Sequence, residues 1–195
     1  MIAVNPQRSY TFFIFIKTEE LKWKKNINTI TDLDGTKIVL INDVRFKSRH
    51  NFDWDDVETY LKEYIGEFYE IEETSEKVYI GPDFPDEFSH SIDSKKTKGT
   101  NLKAKANAAT AIKDLVQIAT NKTSYPDYEQ KHKAKAKYGW YRYDTRFGIP
   151  VYEDDGTLVR YNIFSARMLV RRDKNEKLYL YDLVRIKKET CKPPR

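Results

Sequence analysis

A dense run of cationic and aromatic residues at 137–147 is the part of the sequence best suited to chemistry. In a β-strand, successive side chains point to opposite faces, so one face of this run would be largely cationic and the other largely aromatic. The first face carries Trp140, Arg142, Asp144 and Arg146. Two arginines and an aspartate on one face fit either a phosphate-binding surface or a cross-strand ladder of ion pairs, and the sequence leaves both open.

Two further strands predicted downstream extend this cationic surface. Lysines and arginines can neutralise phosphates while aromatic rings offer faces on which bases stack, so the pattern predicts a nucleic-acid surface. The predicted nucleic-acid-binding residues are Lys137, Trp140, Tyr143, Arg160, Tyr161, Arg167, Arg171, Lys187 and Lys188. Surface ion pairs alone would not require such an excess of one sign.

His132 lies in a lysine-rich stretch just before the run and is the histidine best placed for catalysis. Near neutral pH a histidine can take a proton from a ribose 2′-hydroxyl or give one to a leaving 5′-oxygen. Neighbouring cations can stabilise the charge that builds on phosphorus, and this chemistry needs no metal or other cofactor. A solvated loop histidine is the alternative. The predicted catalytic residues are His132, Lys105, Arg142 and Arg146.

Lys105 enters that set because of helical periodicity. At 100° per residue it falls on the apolar side of a predicted helix, which also carries Ala108, Ala109 and Ile112. From there it would either aim a charge into a site between helix and sheet or extend its ammonium to water.

Patterning along the chain predicts an α+β fold that ends in a three-stranded antiparallel meander, and Pro150 predicts a bulge or an edge in its first strand. The predicted strands are 10–17, a hairpin at 26–42 that turns at Asp32–Gly35, 68–73, 77–80, 139–152, 157–171 and 177–188. The predicted helices begin at Asp53, ending near Gly66, and at Thr100, ending near Ala119. Residues 81–100 and 121–137 are predicted as a mobile loop or domain boundary and as a polar connector.

Charge divides the chain unevenly. Residues 1–94 carry a formal net charge of −8 and residues 95–195 carry +13, within an overall +5. This predicts an acidic N-terminal segment, 1–77, and a basic C-terminal domain, 78–195, with one continuous domain as the alternative. The asymmetry points to a polyanionic partner, unless the acidic part simply folds against the basic one.

Several classes of protein are disfavoured by composition. The single cysteine, Cys191, allows no disulfide framework and suits a reducing, cytoplasmic location. The three histidines, His50, His90 and His132, lack the spacing of metal ligands, so no metal site is predicted. The longest apolar run, Phe12 to Ile16, is much shorter than the roughly 20 residues of a membrane span.

From about residue 78 to 190 the chain resembles small domains of large polyvalent proteins from bacteriophages and conjugative elements. The resembling stretches are Tyr79–Pro85, Ala104–Ala108, Gly139–Phe147, Tyr179–Asp182 and Ile186–Glu189. Several such domains are thought to share the fold of the barnase, EndoU, colicin and RelE ribonucleases. The resemblance implies helices packed on a curved antiparallel sheet that carries an RNA site, and roles for Lys105, His132, Arg142 and Arg146.

Two functions from different classes follow. The first is a metal-independent ribonuclease of a mobile element, acting as a toxin or counter-defence effector in the bacterial cytoplasm. The second is a non-catalytic counter-defence protein, such as an anti-CRISPR inhibitor, that binds a host nucleoprotein. The expected partner is therefore RNA or a host nucleoprotein, and the sequence leaves catalysis and oligomeric state open.

Overall fold

The computed structural model describes residues 27–47, 53–125 and 139–190 of the chain. In these residues, helices pack on a curled eight-stranded sheet, which confirms the predicted α+β class. The strands are β1 (Ile27–Thr31), β2 (Lys37–Ile41), β3 (Phe68–Glu70), β4 (Lys77–Ile80), β5 (Thr120–Tyr125), β6 (Trp140–Tyr152), β7 (Leu158–Arg172) and β8 (Leu178–Lys188). The helices are α1 (Trp54–Leu61), α2 (Phe84–His90), α3 (Ile92–Lys96), α4 (Gly99–Ala108) and α5 (Ile112–Gln117).

The predicted C-terminal meander is confirmed and forms the centre of the sheet. β7 pairs antiparallel with β6 on one side and with β8 on the other. Aspartates close both turns: Asp155 accepts the Thr157 N–H at 2.8 Å, and Asp173 accepts the Lys177 N–H at 3.0 Å. The β6–β7 register shifts just after Val151, so the irregularity expected near Pro150 is present.

Two hairpins from the earlier part of the chain extend the meander on its two sides. β2 pairs parallel with β6, and β4 pairs parallel with β8, so the sheet is mixed rather than wholly antiparallel. The strand order is β1-β2-β6-β7-β8-β4-β3, with β5 also paired to β6. Gly148 lets β2 approach closely, since a Cβ there would lie 2.8 Å from Leu40 Cδ2. Strands from both sides of residue 77 therefore share one sheet.

One face of the sheet forms the core with helices α1, α2, α4 and α5. Apolar residues four apart anchor two of the helices: Val57 and Leu61 in α1, and Phe84 and Phe88 in α2. We call this the core face, and its buried meander residues include Tyr143, Phe147, Phe164, Met168 and Val170. We call the opposite side the open face, and its residues include Arg142, Asp144, Arg146, Ser165 and Arg167.

The prediction of a loop over residues 81–100 is wrong, because this segment contains α2 and α3. Pro85 occupies the first turn of α2, where its missing N–H is not needed. Ser91 accepts the Ser94 N–H at 3.1 Å and caps α3. The proline and serine residues that led to the prediction of a loop instead begin and cap the two helices.

Two other boundaries also differ from the prediction. The helix predicted from Thr100 to Ala119 is interrupted by a 3₁₀ turn at Ala109–Ala111, which separates α4 from α5. The polar connector predicted at 121–137 begins within β5, whose partner strand β6 supplies the ladder that composition does not reveal. The strand predicted at 10–17 lies outside the described residues. Within the described ranges, none of the helices has the length and apolarity needed to cross a membrane.

Candidate nucleic-acid interface

An open cleft of about 470 Å³ lies on the open face, next to the β1–β2 turn. It forms where two strands share one edge of β6: β5 pairs as far as Asp144, and β2 pairs from Phe147 onward. The cations that line the cleft are Lys37, Arg146, Arg167, Arg185 and Lys187. Asp144 is the carboxylate among the lining residues.

Two irregular strand positions flank this cleft. In β5 the register shifts between Thr120 and Thr123, and Asn121 adopts a φ of 56°. In β8 the register shifts opposite Ala166, and Arg185 adopts a φ of 55°. A left-handed backbone is tolerated by Asn but unfavourable for Arg, and such positions are enriched at functional sites, although they also occur in turns, as at Ser75 and Glu176. Both bulged residues line the cleft, so the distortions converge on one site.

Carboxylates of the chain hold two of the arginines in the cleft. Arg146 donates two hydrogen bonds to Glu189, at 2.8 and 2.7 Å, and a third to Asp32 in the β1–β2 turn. The Glu189 contact raises the pKa of Arg146 above its ordinary value, so the guanidinium stays charged. Arg167 donates through Nε to Asp144 at 3.2 Å.

The β1–β2 turn orients the Asp32 carboxylate toward Arg146. Its Oδ1 accepts the N–H groups of Asp34 and Thr36, each at 3.0 Å, which leaves Oδ2 for Arg146. Desolvation raises the pKa of Asp32, but the Arg146 guanidinium and these backbone groups outweigh it and hold the pKa below the ordinary value. Asp32 is therefore both a turn residue and an anion at the edge of the cleft.

Arg185 and Lys187 have no carboxylate partner among the described residues. Their side chains are exposed on β8. The cleft therefore keeps positive charge that is free to meet an anion, while Arg146 and Arg167 are already oriented by the chain.

The structure divides the four predicted catalytic residues. Arg146 lines the cleft, and Arg142 precedes it by four residues on the same face of β6, half-buried and outside the cleft lining. Lys105 is on the other side of the sheet, fully buried in α4. His132 lies outside the described residues, as does Lys137.

Lys105 belongs to an enclosed polar network. Its Nζ lies 2.9 Å from Asp182 Oδ1 and 3.4 Å from Asp93 Oδ2, and 5.1 Å from the ring centroid of Phe88. Ser91 donates to the second Asp182 oxygen at 2.8 Å. These contacts tie α3 and α4 to β8, and none of these side chains lines the cleft. The location of Lys105 supports an architectural role rather than contact with a substrate.

The pKa of Asp182 in this network is shifted by burial. Desolvation raises its pKa to about 6, although the Lys105 ammonium and the Ser91 hydroxyl act in the opposite direction. The carboxylate is 2% exposed, so even a nearby cation does not fully replace the water that it loses.

Of the other predicted binding residues, Arg167 and Lys187 share the cleft with Arg146. Tyr143 is fully buried on the core face, where its hydroxyl donates to Glu76 at 2.9 Å, so a base has no access to its ring. Lys188 is opposite Phe164 in the β7–β8 register, which places it on the side of the sheet away from the cleft.

The remaining predicted residues lie at the two ends of the meander. Arg160 is exposed and Tyr161 is half-buried, with its hydroxyl 2.5 Å from Asn42 Oδ1. At the other end, Trp140 and Arg171 are opposite each other in the β6–β7 register and are both mostly buried. These four residues are outside the cleft.

Sequence reasoning did not identify Lys37 and Asn121 as site residues, and it assigned Asp32 only to a turn. No local pattern marks them, because the sheet brings them to the cleft from the β1–β2 turn and β5.

Comparison with protein-family models, with curated proteins and with solved structures found no match.

Replacing Lys105 with Met should destabilise the fold by about 3–5 kcal/mol, because Asp182, left without its cation, must either stay charged in the core or bind a proton at neutral pH. Urea denaturation at neutral pH measures this loss. The double variant Lys105→Met/Asp182→Leu should regain most of it. Lys103→Met, a partly exposed site on the same helix, should change stability by less than about 0.5 kcal/mol. Equal losses in the single and double variants would contradict the assigned pairing.

The raised pKa of Asp182 predicts a pH dependence of stability. Between about pH 6 and its ordinary value of 3.8, the folded chain binds more protons at this site than the unfolded chain. The contribution of Asp182 to the free energy of unfolding should therefore grow as pH falls through this window. Asp182→Asn lacks the titration, so the wild type should gain stability relative to this variant between about pH 7 and about pH 4.5. Urea denaturation across this range tests the sign, and a relative loss toward acid would refute it.

Proposed function

We propose that the chain is a metal-independent ribonuclease of a mobile genetic element, which binds RNA in the cationic cleft of its open face. The observation that carries the proposal is the convergence of two bulged residues, Asn121 and Arg185, on one cleft lined by cations. Strained backbone is typical of active sites, and unpartnered cations beside oriented arginines suit a phosphodiester.

The reaction that fits these residues is transfer within the RNA. The ribose 2′-oxygen attacks phosphorus, a general base takes the 2′-hydroxyl proton, and the bond from phosphorus to the 5′-oxygen breaks. A general acid protonates the leaving 5′-oxygen, which yields a 2′,3′-cyclic phosphate and a 5′-hydroxyl. His132 is proposed as one member of this acid–base pair. Arg146, and Arg142 four residues away on the same open face of β6, are proposed to stabilise the charge on phosphorus.

A non-catalytic role in counter-defence is the second candidate. It is favoured because two of the candidate catalytic cations already form ion pairs with carboxylates of the same chain. Arg146 is held by Glu189 and Asp32, and Lys105 is enclosed beside Asp182. On this reading, as for an anti-CRISPR inhibitor, the cleft docks on RNA within a host nucleoprotein and performs no chemistry.

Incubation of the purified chain with RNA in EDTA separates the two functions. The ribonuclease should produce fragments with cyclic phosphate ends, and His132→Ala should abolish cleavage while leaving RNA affinity nearly unchanged. Lys187→Glu should weaken affinity about ten-fold at low salt and reduce its salt dependence. Lys188→Glu makes the same charge change one residue away, on the other side of the sheet, and should have a much smaller effect.

Each outcome of this experiment decides a point. RNA that is bound but intact would refute the ribonuclease, and co-elution with a purified host nucleoprotein would then support the binder. Equal effects of Lys187→Glu and Lys188→Glu would exclude the cleft as the RNA site. No RNA binding at low salt would overturn the ribonuclease proposal.

Asp32→Asn should increase RNA affinity by about two- to five-fold. The amide oxygen can still accept the turn N–H groups of Asp34 and Thr36, whereas the anion that faces Arg146 is lost. Removing a negative charge from the edge of the cleft favours a polyanion. Fluorescence anisotropy with labelled RNA measures the change, and Asp34→Asn at the exposed tip of the same turn is the matched control. A decrease in affinity with unchanged stability would contradict the competition between Asp32 and phosphate.

A further inference from the structure

A straight row of side chains crosses the open face at some distance from the cleft. Arg171 of β7 is opposite Tyr179 of β8, Tyr179 is opposite Tyr79 of β4, and Tyr79 is opposite Phe68 of β3. Arg171 lies four residues along β7 from Arg167, or about 13 Å from the cleft, and the rings lie on the strands beyond it. We call Phe68, Tyr79 and Tyr179 the aromatic row.

The three rings form a continuous surface. Ring centroids are 5.5 Å apart between Phe68 and Tyr79 and 5.8 Å apart between Tyr79 and Tyr179, with the rings tilted by 40° and 42°. Phe68 is 47% exposed at the sheet edge, and the two tyrosines are half-buried. Phe68 therefore presents ring surface to solvent and the two tyrosines are partly accessible, whereas Tyr143 is fully buried.

A cation lies over each ring. Lys77 Nζ is 5.1 Å from the centroid of Phe68, Lys177 Nζ is 4.9 Å from that of Tyr79, and Arg171 Cζ is 4.8 Å from that of Tyr179. Both lysines are exposed and have no carboxylate within ion-pair distance among the described residues. Their flexible stems can swing aside when another group covers the rings of Phe68 and Tyr79.

The row is held rigidly from below and from one end. Val78 and Ile80, which alternate with Tyr79 along β4, are buried in the core. Arg171 donates to both oxygens of Asp83, at 3.1 and 2.9 Å. Gly81 leaves room for this clamp, since a Cβ there would lie 2.8 Å from Asp83 Oδ1 and 3.3 Å from the Tyr179 ring. The rings are therefore pre-organised, which reduces the entropy lost on binding.

We propose that the aromatic row is a stacking platform for unpaired bases of RNA. The inference rests on the proposed function, because it extends the path of an RNA strand from the cleft across β8 to β3. Sheet-borne aromatic rings that stack successive bases, with adjacent cations for the phosphates, are a recurrent way to hold single-stranded RNA. Mobile lysines over the rings suit this ligand better than a protein partner, since lysine is depleted from protein–protein interfaces.

Base stacking and phosphate contact can be separated by the choice of probe. In the His132→Ala background, binding of a short oligoadenylate is compared with that of an abasic ribose-phosphate oligomer of the same length. Phe68→Leu/Tyr79→Leu keeps apolar packing but removes two rings, and should weaken oligoadenylate binding about ten-fold or more. Binding of the abasic oligomer, and the salt dependence for both probes, should stay unchanged.

Two variants serve as controls for the aromatic row. Tyr79→Phe keeps the ring and should bind oligoadenylate like the parent, whereas Tyr152→Leu removes a 50%-exposed ring near the β6–β7 turn and should have no effect. An equal loss with the abasic oligomer, or no loss with oligoadenylate, would overturn the platform. If Lys187→Glu still weakens binding in that case, the cleft proposal stands without the row. If the parent binds neither probe, both proposals fall together.

Discussion

The two-residue period of the long β6–β7 hairpin is the constraint on which the rest of the structure depends. Its register runs from Trp140 opposite Arg171 to Val151 opposite Arg160, so each strand must assign alternate residues to the same two faces. One face receives Phe147, Phe164 and Met168 and must be covered by helices. The other receives the arginines and cannot be covered by an apolar layer. The open cationic face is therefore a consequence of how the core is built.

The hairpin also determines where the acidic part of the chain lies relative to the cationic cleft. β6 pairs in parallel with β2, and β8 pairs in parallel with β4; the pairing of β2 brings Asp32 to the edge of the cleft beside Arg146. A carboxylate at that edge costs affinity for phosphate, but it holds a long guanidinium in one orientation before any ligand arrives. The acidic segment therefore shapes the basic surface through a specific contact.

Local sequence signals correctly predicted the turns, because a turn is determined by contacts between residues that are close in sequence. The turn at Asp32–Gly35 and the meander turns with Asp155 and Asp173 follow from side chains that bond to their own backbone. The partner of Lys105 is different, because Asp182 lies on a distant strand and enters the network through an irregularity in the β7–β8 register. Periodicity correctly placed Lys105 toward the apolar side, but whether it meets water, substrate or a buried acid is decided by tertiary packing.

The cleft could be predicted only in part, because it too depends on contacts between strands that are distant in sequence. Alternation along β6 puts Arg142, Asp144 and Arg146 on one face, which the structure shows. The bulges at Asn121 and Arg185 could not be inferred, since a bulge exists only relative to a partner strand. Without the extra residue in β8, the alternation of that strand would not bring both Arg185 and Lys187 into the cleft while Leu183 and Ile186 remain in the core. The unpaired positive charge of Arg185 and Lys187 thus depends on a bulge in β8, which interrupts the two-residue alternation of the strand.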